Sequence, residues 1–334
     1  MTSRGGHDPP VVCSPARRVL ILAVSGTDLL EGTRMSEVHV NVKTLHPEVW
    51  KLFDRYVHGL IDRRSFLDGA ARYTAGGVTA AAILEALGPR YAEAQQVAPG
   101  DPRIRTERVE VKSPQGYGMI RALLARPANS AGTLPAIIVI HENRGLNPHI
   151  EDVVRRAAVA GFMAIGPDVL TSLGGYPGTD EKGVDMQRTL EQPKMMADFL
   201  ATARYVKSRP DCTGRLGATG FCFGGSVVNN LAVELGADLQ AAVPFYGGAP
   251  RAEDVPKIKA PLLINLAEDD ERINAGYPAY EVALKANRIP YELYKYPGTM
   301  HGFHNDTTPR FNKEAAALAW RRTIDHFNKH LKTT

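Results

Sequence analysis

The chain has 334 residues, 44% hydrophobic and 23% charged, with 40 basic against 36 acidic side chains and a net charge of +4. That is the composition of an ordinary globular protein of one or two domains, and it excludes a disordered or fibrous chain. The charges are mixed along the chain with no basic block interleaved with aromatics, which excludes nucleic acid as a partner; three cysteines (Cys13, Cys212, Cys222) without a Cys-x-x-Cys pair exclude finger-type zinc and a disulfide framework.

The chain changes character near residue 95. Residues 1–94 read as a leader. Glu48–Val57 has helical spacing, and Asp62-Arg63-Arg64-Ser65-Phe66-Leu67 is followed by a mildly apolar, Gly/Ala-rich run from Gly69 to Leu87 and then by Ala92-Glu93-Ala94. An arginine pair, a weak apolar run and a small-x-small site in that order resemble a twin-arginine export signal, the alternative being an uncleaved N-terminal helix with a chance Arg-Arg pair. The expectation is a periplasmic or secreted protein that meets the twin-arginine machinery, or a cytoplasmic one if the leader is not used. Arg72 and Glu85 interrupt the apolar run, so no stable membrane span is expected. Met35 is a better start for such a signal, which makes residues 1–34 an upstream extension.

Residues 95–334 have the length of one α/β domain. Val109–Val111 and Ile120–Ala125 read as early strands joined by a turn near Gly116. Ala136–Ile140 is an unbroken apolar run, as a buried central strand should be. Pro148–Ala160 reads as a helix, Phe162–Ile165 as a strand, Gly174–Gly183 as a loop, and Leu190–Lys207 as a long helix. Leu216–Thr219, Ala241–Phe245, Leu262–Leu266 and Tyr291–Tyr296 are further strands; Tyr277–Ala286 and Lys313–Leu331 are helices. The alternation predicts a doubly wound, mostly parallel sheet with helices on both faces, the α/β-hydrolase architecture.

Between the Leu216–Thr219 strand and a helical run beginning at Ser226 lies Gly220-Phe221-Cys222-Phe223-Gly224-Gly225. Strand, G-x-C-x-G-G, helix is the setting of a nucleophile elbow with cysteine in place of serine. Side chains at the three glycines would crowd the neighbouring backbone, and the helix N-terminus favours the thiolate. A thiol nucleophile needs a base and the base an orienting acid. Asp270 follows the Leu262–Leu266 strand and His301 follows Tyr291–Tyr296, giving the chain order nucleophile, acid, histidine. Glu268 and Asp269 compete with Asp270 for the acid's place. Cys212 is a strand's length from Cys222, so the two do not bridge and a redox thiol pair ranks last.

From Val109 to Leu331 the chain resembles the dienelactone hydrolases (carboxymethylenebutenolidases). The resemblance is carried by Gly220–Gly225, by His141-Glu142-Asn143-Arg144-Gly145-Leu146, by Asp270-Glu271-Arg272-Ile273 and by His301-Gly302-Phe303. It implies a Cys222–His301–Asp270 triad, the choice of acid resting on the apolar residue three positions on, here Ile273. It implies that Glu142 contacts the thiol and takes its proton when substrate binds, with helix capping or pairing to Arg144 as the alternative. The oxyanion hole would be the backbone N–H groups of Phe223 and Asn143. The family holds its substrate carboxylate with arginines, one of them four positions after the histidine; Asn305 stands there, which puts that clamp in doubt. Arg144 is the candidate replacement, or else a surface ion pair with Glu142 or Glu151. Tyr246 falls where the family lines its pocket with an aromatic ring, and His304 reads as a rim or surface residue.

These readings together give a cysteine-dependent hydrolase of small esters or lactones, with dienelactone as the default substrate and no metal or organic cofactor. The alternatives are a general carboxylesterase or thioesterase on the same fold, and a non-catalytic exported binding protein that keeps the scaffold.

Overall fold

The structure is a computed structural model and describes residues 40–75 and 77–332; Cys13, residues 1–34 and Met35 lie outside them. Four short helices lead: α1 (Pro47–Val57), α2 (Arg63–Ala70), α3 (Ala80–Leu87) and α4 (Tyr91–Ala94). Then come β1 (Ile104–Ser113), β2 (Gly118–Pro127), β3 (Leu134–Ile140), α5 (Pro148–Val159), β4 (Met163–Asp168), α6 (Asp180–Arg188), α7 (Gln192–Lys207), β5 (Cys212–Phe221), α8 (Phe223–Leu235) and β6 (Ala241–Phe245). The chain closes with β7 (Leu262–Asp269), α9 (Glu271–Asn274), α10 (Tyr277–Ala286), β8 (Tyr291–Met300) and α11 (Lys313–Leu331).

The strands form one eight-stranded sheet in the order β1-β2-β4-β3-β5-β6-β7-β8, antiparallel at β1/β2 and β2/β4 and parallel from β4 onward. This is the doubly wound α/β-hydrolase sheet the alternation predicts. Strands buried on both faces need apolar residues throughout, and β3 is buried from Pro135 to Ile140. One face packs under Phe199, Leu231 and Tyr280, the other under Phe162, Phe245 and Phe327. Crossovers run between β3, β4 and β5, so the loops after β3 and β5 open at the same end of the sheet, where ligands bind in such folds.

Two expectations shift in extent. β1 runs from Ile104, well before Val109, because an edge strand with most side chains exposed lacks an apolar signature. The stretch read as a loop ends in a helix: α6 begins at Asp180, with Asp180 and Glu181 in its first turn. A Cβ at Gly183 would lie 2.4 Å from the Arg144 carbonyl oxygen, so this glycine lets α6 close on the loop after β3.

The leading helices are built from ordinary signals. His46 caps α1 ahead of Pro47, Asp62 caps α2 through the Ser65 N–H at 2.7 Å, and Thr79 caps α3. Arg63 and Arg64 are therefore exposed first-turn residues of α2. Val49, Phe53, Phe66, Ile83, Leu84 and Leu87 make a small core of their own. These helices belong to the same compact unit as the sheet, which takes in every residue from Val40 onward. Asn143 Nδ2 donates to the Val57 carbonyl at 2.8 Å, and the Arg90 N–H donates to the Thr307 carbonyl at 2.8 Å. No described helix is long and apolar enough to cross a membrane.

Candidate active site

Cys222 sits between β5 and α8 with φ 56° and ψ −115°, a conformation that costs a non-glycine residue of order 1–3 kcal/mol. The surroundings enforce it. A Cβ at Gly220 would meet the Gly224 carbonyl at 2.4 Å, one at Gly224 the Ile140 carbonyl at 2.4 Å, and one at Gly225 the Phe245 carbonyl at 2.3 Å. The elbow thus wedges between β3 and β6 by backbone contact alone. Cys222 as a residue is buried, 7% exposed.

His301 follows β8 and Asp270 follows β7. His301 Nδ1 and Asp270 Oδ2 are 2.5 Å apart, both buried, while Glu268 and Asp269 are exposed. Asp270 also caps α9 through the Ile273 N–H at 3.4 Å. With Nδ1 donating to the carboxylate, His301 turns Nε2 toward Cys222. Burial opposes charge here, but His301 and a second histidine outweigh it and hold the Cys222 thiol well below its ordinary range. His301 moves up for the complementary reason: burial opposes, and Cys222 and Asp270 outweigh it. Both shifts favour a thiolate–imidazolium pair.

That second histidine is His58, at the end of α1. Its Nε2 lies 3.3 Å from Cys222 Sγ and 3.2 Å from His301 Nε2, and its Nδ1 lies 2.6 Å from the Asp54 carbonyl and 3.3 Å from the Asp54 carboxylate. Arg272 Nη2 approaches His58 Nε2 at 3.1 Å. The sequence reading misses His58 and Asp54. Their signal is an i,i+4 acid–histidine pair at a helix end, but they lie in a segment read as a leader, 164 positions from the nucleophile.

Glu142 and Asn143 follow β3. The Glu142 carboxylate is buried, accepts from Asn305 Nδ2 at 3.1 Å and faces Arg144 at 3.5 Å. Arg144 is buried as well: it pairs with Asp180 at 2.9 Å, and those two carboxylates outweigh burial and keep it charged. Of the surface-pair alternative the Glu142 partner is present, but buried; Glu151 pairs instead with Arg108 and Arg155. Asn305 Oδ1 accepts from the Thr307 N–H and hydroxyl, so the side chain is engaged at both ends. Arg310, also buried, stacks over Phe53 and reaches Asp54 at 3.4 Å; its Nε and that of Arg144 have no partner among the described residues. Tyr246 is buried with φ 34°, its ring 5.0 Å from that of His301 and its hydroxyl without a partner among the described residues. His304 is not a surface residue: it stacks on Phe221 at 4.9 Å, and burial, reinforced by Arg156, lowers it to about 3.

A cleft of about 270 Å³ opens onto the thiol, lined by His58, Asn143, Cys222, Phe223, Arg272 and Ile273. A larger cavity, about 620 Å³, lies between α1–α3 and α6, and its lining does not include Cys222. The chemistry places substrate in the smaller one. Among the described residues, His58, Cys222 and His301 are the set able to hold a metal ion, their donor atoms within 4.8 Å of one another. Two imidazoles and a thiolate suit zinc, but the Arg272 guanidinium already sets a positive charge against one donor. Cys212 and Cys222 are both unbridged, at opposite ends of β5.

The comparisons agree with the fold. The model of the dienelactone hydrolase family matches residues 120–331, and a YqhI-like family model matches residues 39–75. A "Putative hydrolase fragment YghX" of Escherichia coli K12 is 50% identical over 114 residues, 34% of this chain and 97% of that one. A "Putative carboxymethylenebutenolidase" of Saccharolobus solfataricus is 34% identical over 243 residues, 61% of this chain and 91% of that one. Among solved structures, a "Putative Dienelactone Hydrolase" of Klebsiella pneumoniae is 27% identical, with a TM-score of 0.59, covering 68% of this chain and all of the other.

Proposed function

Because the chain belongs to the dienelactone hydrolase family, whose members are hydrolases of esters and lactones, we propose that it hydrolyses a small ester or lactone through an acyl-enzyme on Cys222. The observation that carries this reading is the strained cysteine elbow facing a histidine whose other nitrogen is fixed on a buried aspartate at 2.5 Å.

The steps follow from the groups present. Cys222 Sγ attacks the carbonyl carbon, and the tetrahedral oxyanion is met by the N–H of Phe223 and that of Asn143 in the turn after β3. As first residue of α8, Phe223 has no intrahelical acceptor for its N–H, which leaves that donor available. The C–O bond breaks, and the proton on His301 Nε2 passes to the leaving oxygen, which in a lactone stays on the same molecule. Water then adds to the thioester carbon, losing its proton to an imidazole, and the C–S bond breaks to return the thiolate.

Asn305 favours one refinement. Where the family places a cation it places an amide already bound to Glu142 and Thr307, so no charge waits there for a substrate carboxylate. Neutral esters and thioesters therefore compete with dienelactone as the natural class. If the substrate is anionic, Arg272, the arginine that lines the cleft, is the group to meet it. Glu142, held by Asn305 and Arg144, would reach the thiol only after leaving them.

The test is hydrolysis of cis- and trans-dienelactone and a short p-nitrophenyl ester series by the full chain and by Cys222→Ala, with intact-mass detection of the acyl adduct. An adduct on Cys222 and loss of turnover in the variant are expected. Turnover that survives Cys222→Ala overturns the proposal, and ester turnover without dienelactone turnover selects the neutral-ester class.

A further inference from the structure

We propose that His58, delivered by α1 and oriented by Asp54, is a second catalytic acid–base residue: it removes the proton from the water that hydrolyses the acyl-enzyme, while His301 serves acylation. This rests on the acyl-enzyme reading above and adds to it a residue lying outside the stretch matched by the dienelactone hydrolase model.

Two Asp–His pairs converge on one sulfur. Asp270 holds His301 Nδ1 from the buried side, and Asp54 holds His58 Nδ1 from the side of the leading helices. The tautomer of His58 follows from its neighbours. The Asp54 carbonyl can only accept, so Nδ1 carries the hydrogen; at Nε2 the Arg272 guanidinium can only donate and favours the lone pair, while the Cys222 thiolate at 3.3 Å favours a hydrogen until it is acylated. Nitrogens 3.2 Å apart need one hydrogen between them, and His301 supplies it. In the resting site burial opposes charge on His58, but the Cys222 thiolate and Asp54 outweigh it and raise His58 to about 9, so the histidine pair holds its proton over the sulfur. Once Cys222 is acylated and that proton has gone to the leaving oxygen, the pull is lost and His58 Nε2 is a neutral base. The two imidazoles titrate as a unit, and Cys222, Asp54, Asp270, Arg272 and Arg310 are the charged groups that face them.

The division of labour follows from access. His58 lines the cleft that opens onto the thiol, whereas His301 lies behind it, its side chain 6% exposed. After acylation His301 has given its proton to the leaving oxygen, and water entering by the cleft meets His58 Nε2 first. Water oxygen bonds to the acyl carbon as its proton goes to His58. The C–S bond then breaks, and the proton returns to the histidine pair over the regenerated thiolate. Atoms balance: thioester plus water gives acid plus the resting site.

The assignment requires α1 to remain in the working enzyme. Asn143 Nδ2 bound to the Val57 carbonyl, and Arg310 spanning Phe53 and Asp54, are the contacts that seat it.

The experiment is a pre-steady-state burst with p-nitrophenyl acetate on the full chain, on His58→Gln and on His301→Gln, with intact-mass readout of the adduct. In His58→Gln a stoichiometric burst should persist, its rate–pH midpoint moved upward because His58 helps hold the thiol down, while steady-state turnover falls by about 100-fold and acyl-enzyme accumulates. In His301→Gln the burst itself should be lost. Imidazole added to His58→Gly should restore turnover without changing the burst, a response that a merely structural role would not give. Wild-type turnover in His58→Gln, or burst and turnover falling together with no imidazole rescue, overturns the inference. Active native protein whose N-terminus lies beyond His58 overturns it as well. Absence of any burst or adduct in the parent sinks the acyl-enzyme reading itself, and so separates the two failures.

Discussion

Asn305 donates from Nδ2 to the Glu142 carboxylate at 3.1 Å, while its Oδ1 takes both the Thr307 N–H and hydroxyl. An amide is the one side chain of this size that satisfies a carboxylate at one end and two donors at the other. Asn305→Asp keeps the Thr307 contacts and sets a carboxylate against Glu142. Two buried carboxylates in contact cannot both ionise, so one binds a proton more tightly folded than unfolded. Its raised affinity leaves the variant close to the parent at low pH and costs stability as pH rises through the carboxylate range. We expect a loss of about 2 kcal/mol at pH 8 that shrinks toward pH 4.5, read as the difference in Tm between variant and parent. A pH-independent difference would mean that Glu142 is not held by this contact.

Cys222 should alkylate as a thiolate well below the ordinary range. Burial alone would raise the thiol, but His301 and His58 outweigh it. Carbamidomethylation by iodoacetamide should therefore stay near its maximum at pH 6, whereas a free thiol, titrating near 8.5, would be slowed there by more than about 100-fold. His301→Gln should move the midpoint of the rate–pH profile upward. A parent midpoint near 8.5 would show that the pairing does not hold in solution.

The division between what the residues announce and what they conceal is physical. β3, β6, α10 and α11 are legible because apolar runs and helical spacing report burial directly. The elbow is legible because only glycine fits at Gly224 and Gly225. Asp270 is separated from Glu268 and Asp269 in the sequence only through the resemblance, by Ile273 three positions on; its burial against His301 supplies the physical ground. His58 is concealed more deeply. Its role depends on α1 folding back over the loop after β3, and Asn143 Nδ2 reaching Val57 is a contact between distant segments with no periodicity to announce it. The Arg63-Arg64 pair, conspicuous as a string, lies in the exposed first turn of a capped helix. Asn305 reads as a missing cation until its partners are seen.

The elbow tolerates no Cβ. At Gly224 a methyl group would lie 2.4 Å from the Ile140 carbonyl and 2.6 Å from that of His141, both backbone atoms of the loop that carries Glu142 and Asn143. Backbone cannot step aside as a flexible side chain can. Gly224→Ala should lose more than about 3 kcal/mol, and any folded remainder should lose turnover because Asn143 is displaced. Gly132→Ala is the control: its Cβ would meet nothing within 4 Å, and only its φ of 91° opposes the change. Its cost should stay near 1 kcal/mol. Urea denaturation of both variants makes the comparison; equal losses would show that backbone angle, not contact, limits Gly224.

Zinc ion should inhibit through the same three donors that do the chemistry. His58 Nε2, Cys222 Sγ and His301 Nε2 lie within 4.8 Å of one another, and each histidine has its far nitrogen fixed by an aspartate, the support that aims an imidazole at a metal. A bound ion would tie up the thiolate and both bases at once. The opposing feature is Arg272, whose guanidinium stands 3.1 Å from His58 Nε2 and must swing away; its side chain is 44% exposed, so it has room to do so. Turnover of p-nitrophenyl acetate should therefore fall with micromolar Zn²⁺ and recover on chelation. Arg272→Ala should tighten inhibition by about tenfold, the effect of removing roughly 1.4 kcal/mol of repulsion at a partly screened site. In His58→Gln the midpoint, measured on residual activity, should weaken by at least that factor. Inhibition indifferent to both substitutions would place the ion elsewhere and remove His58 from the set of donors facing the sulfur.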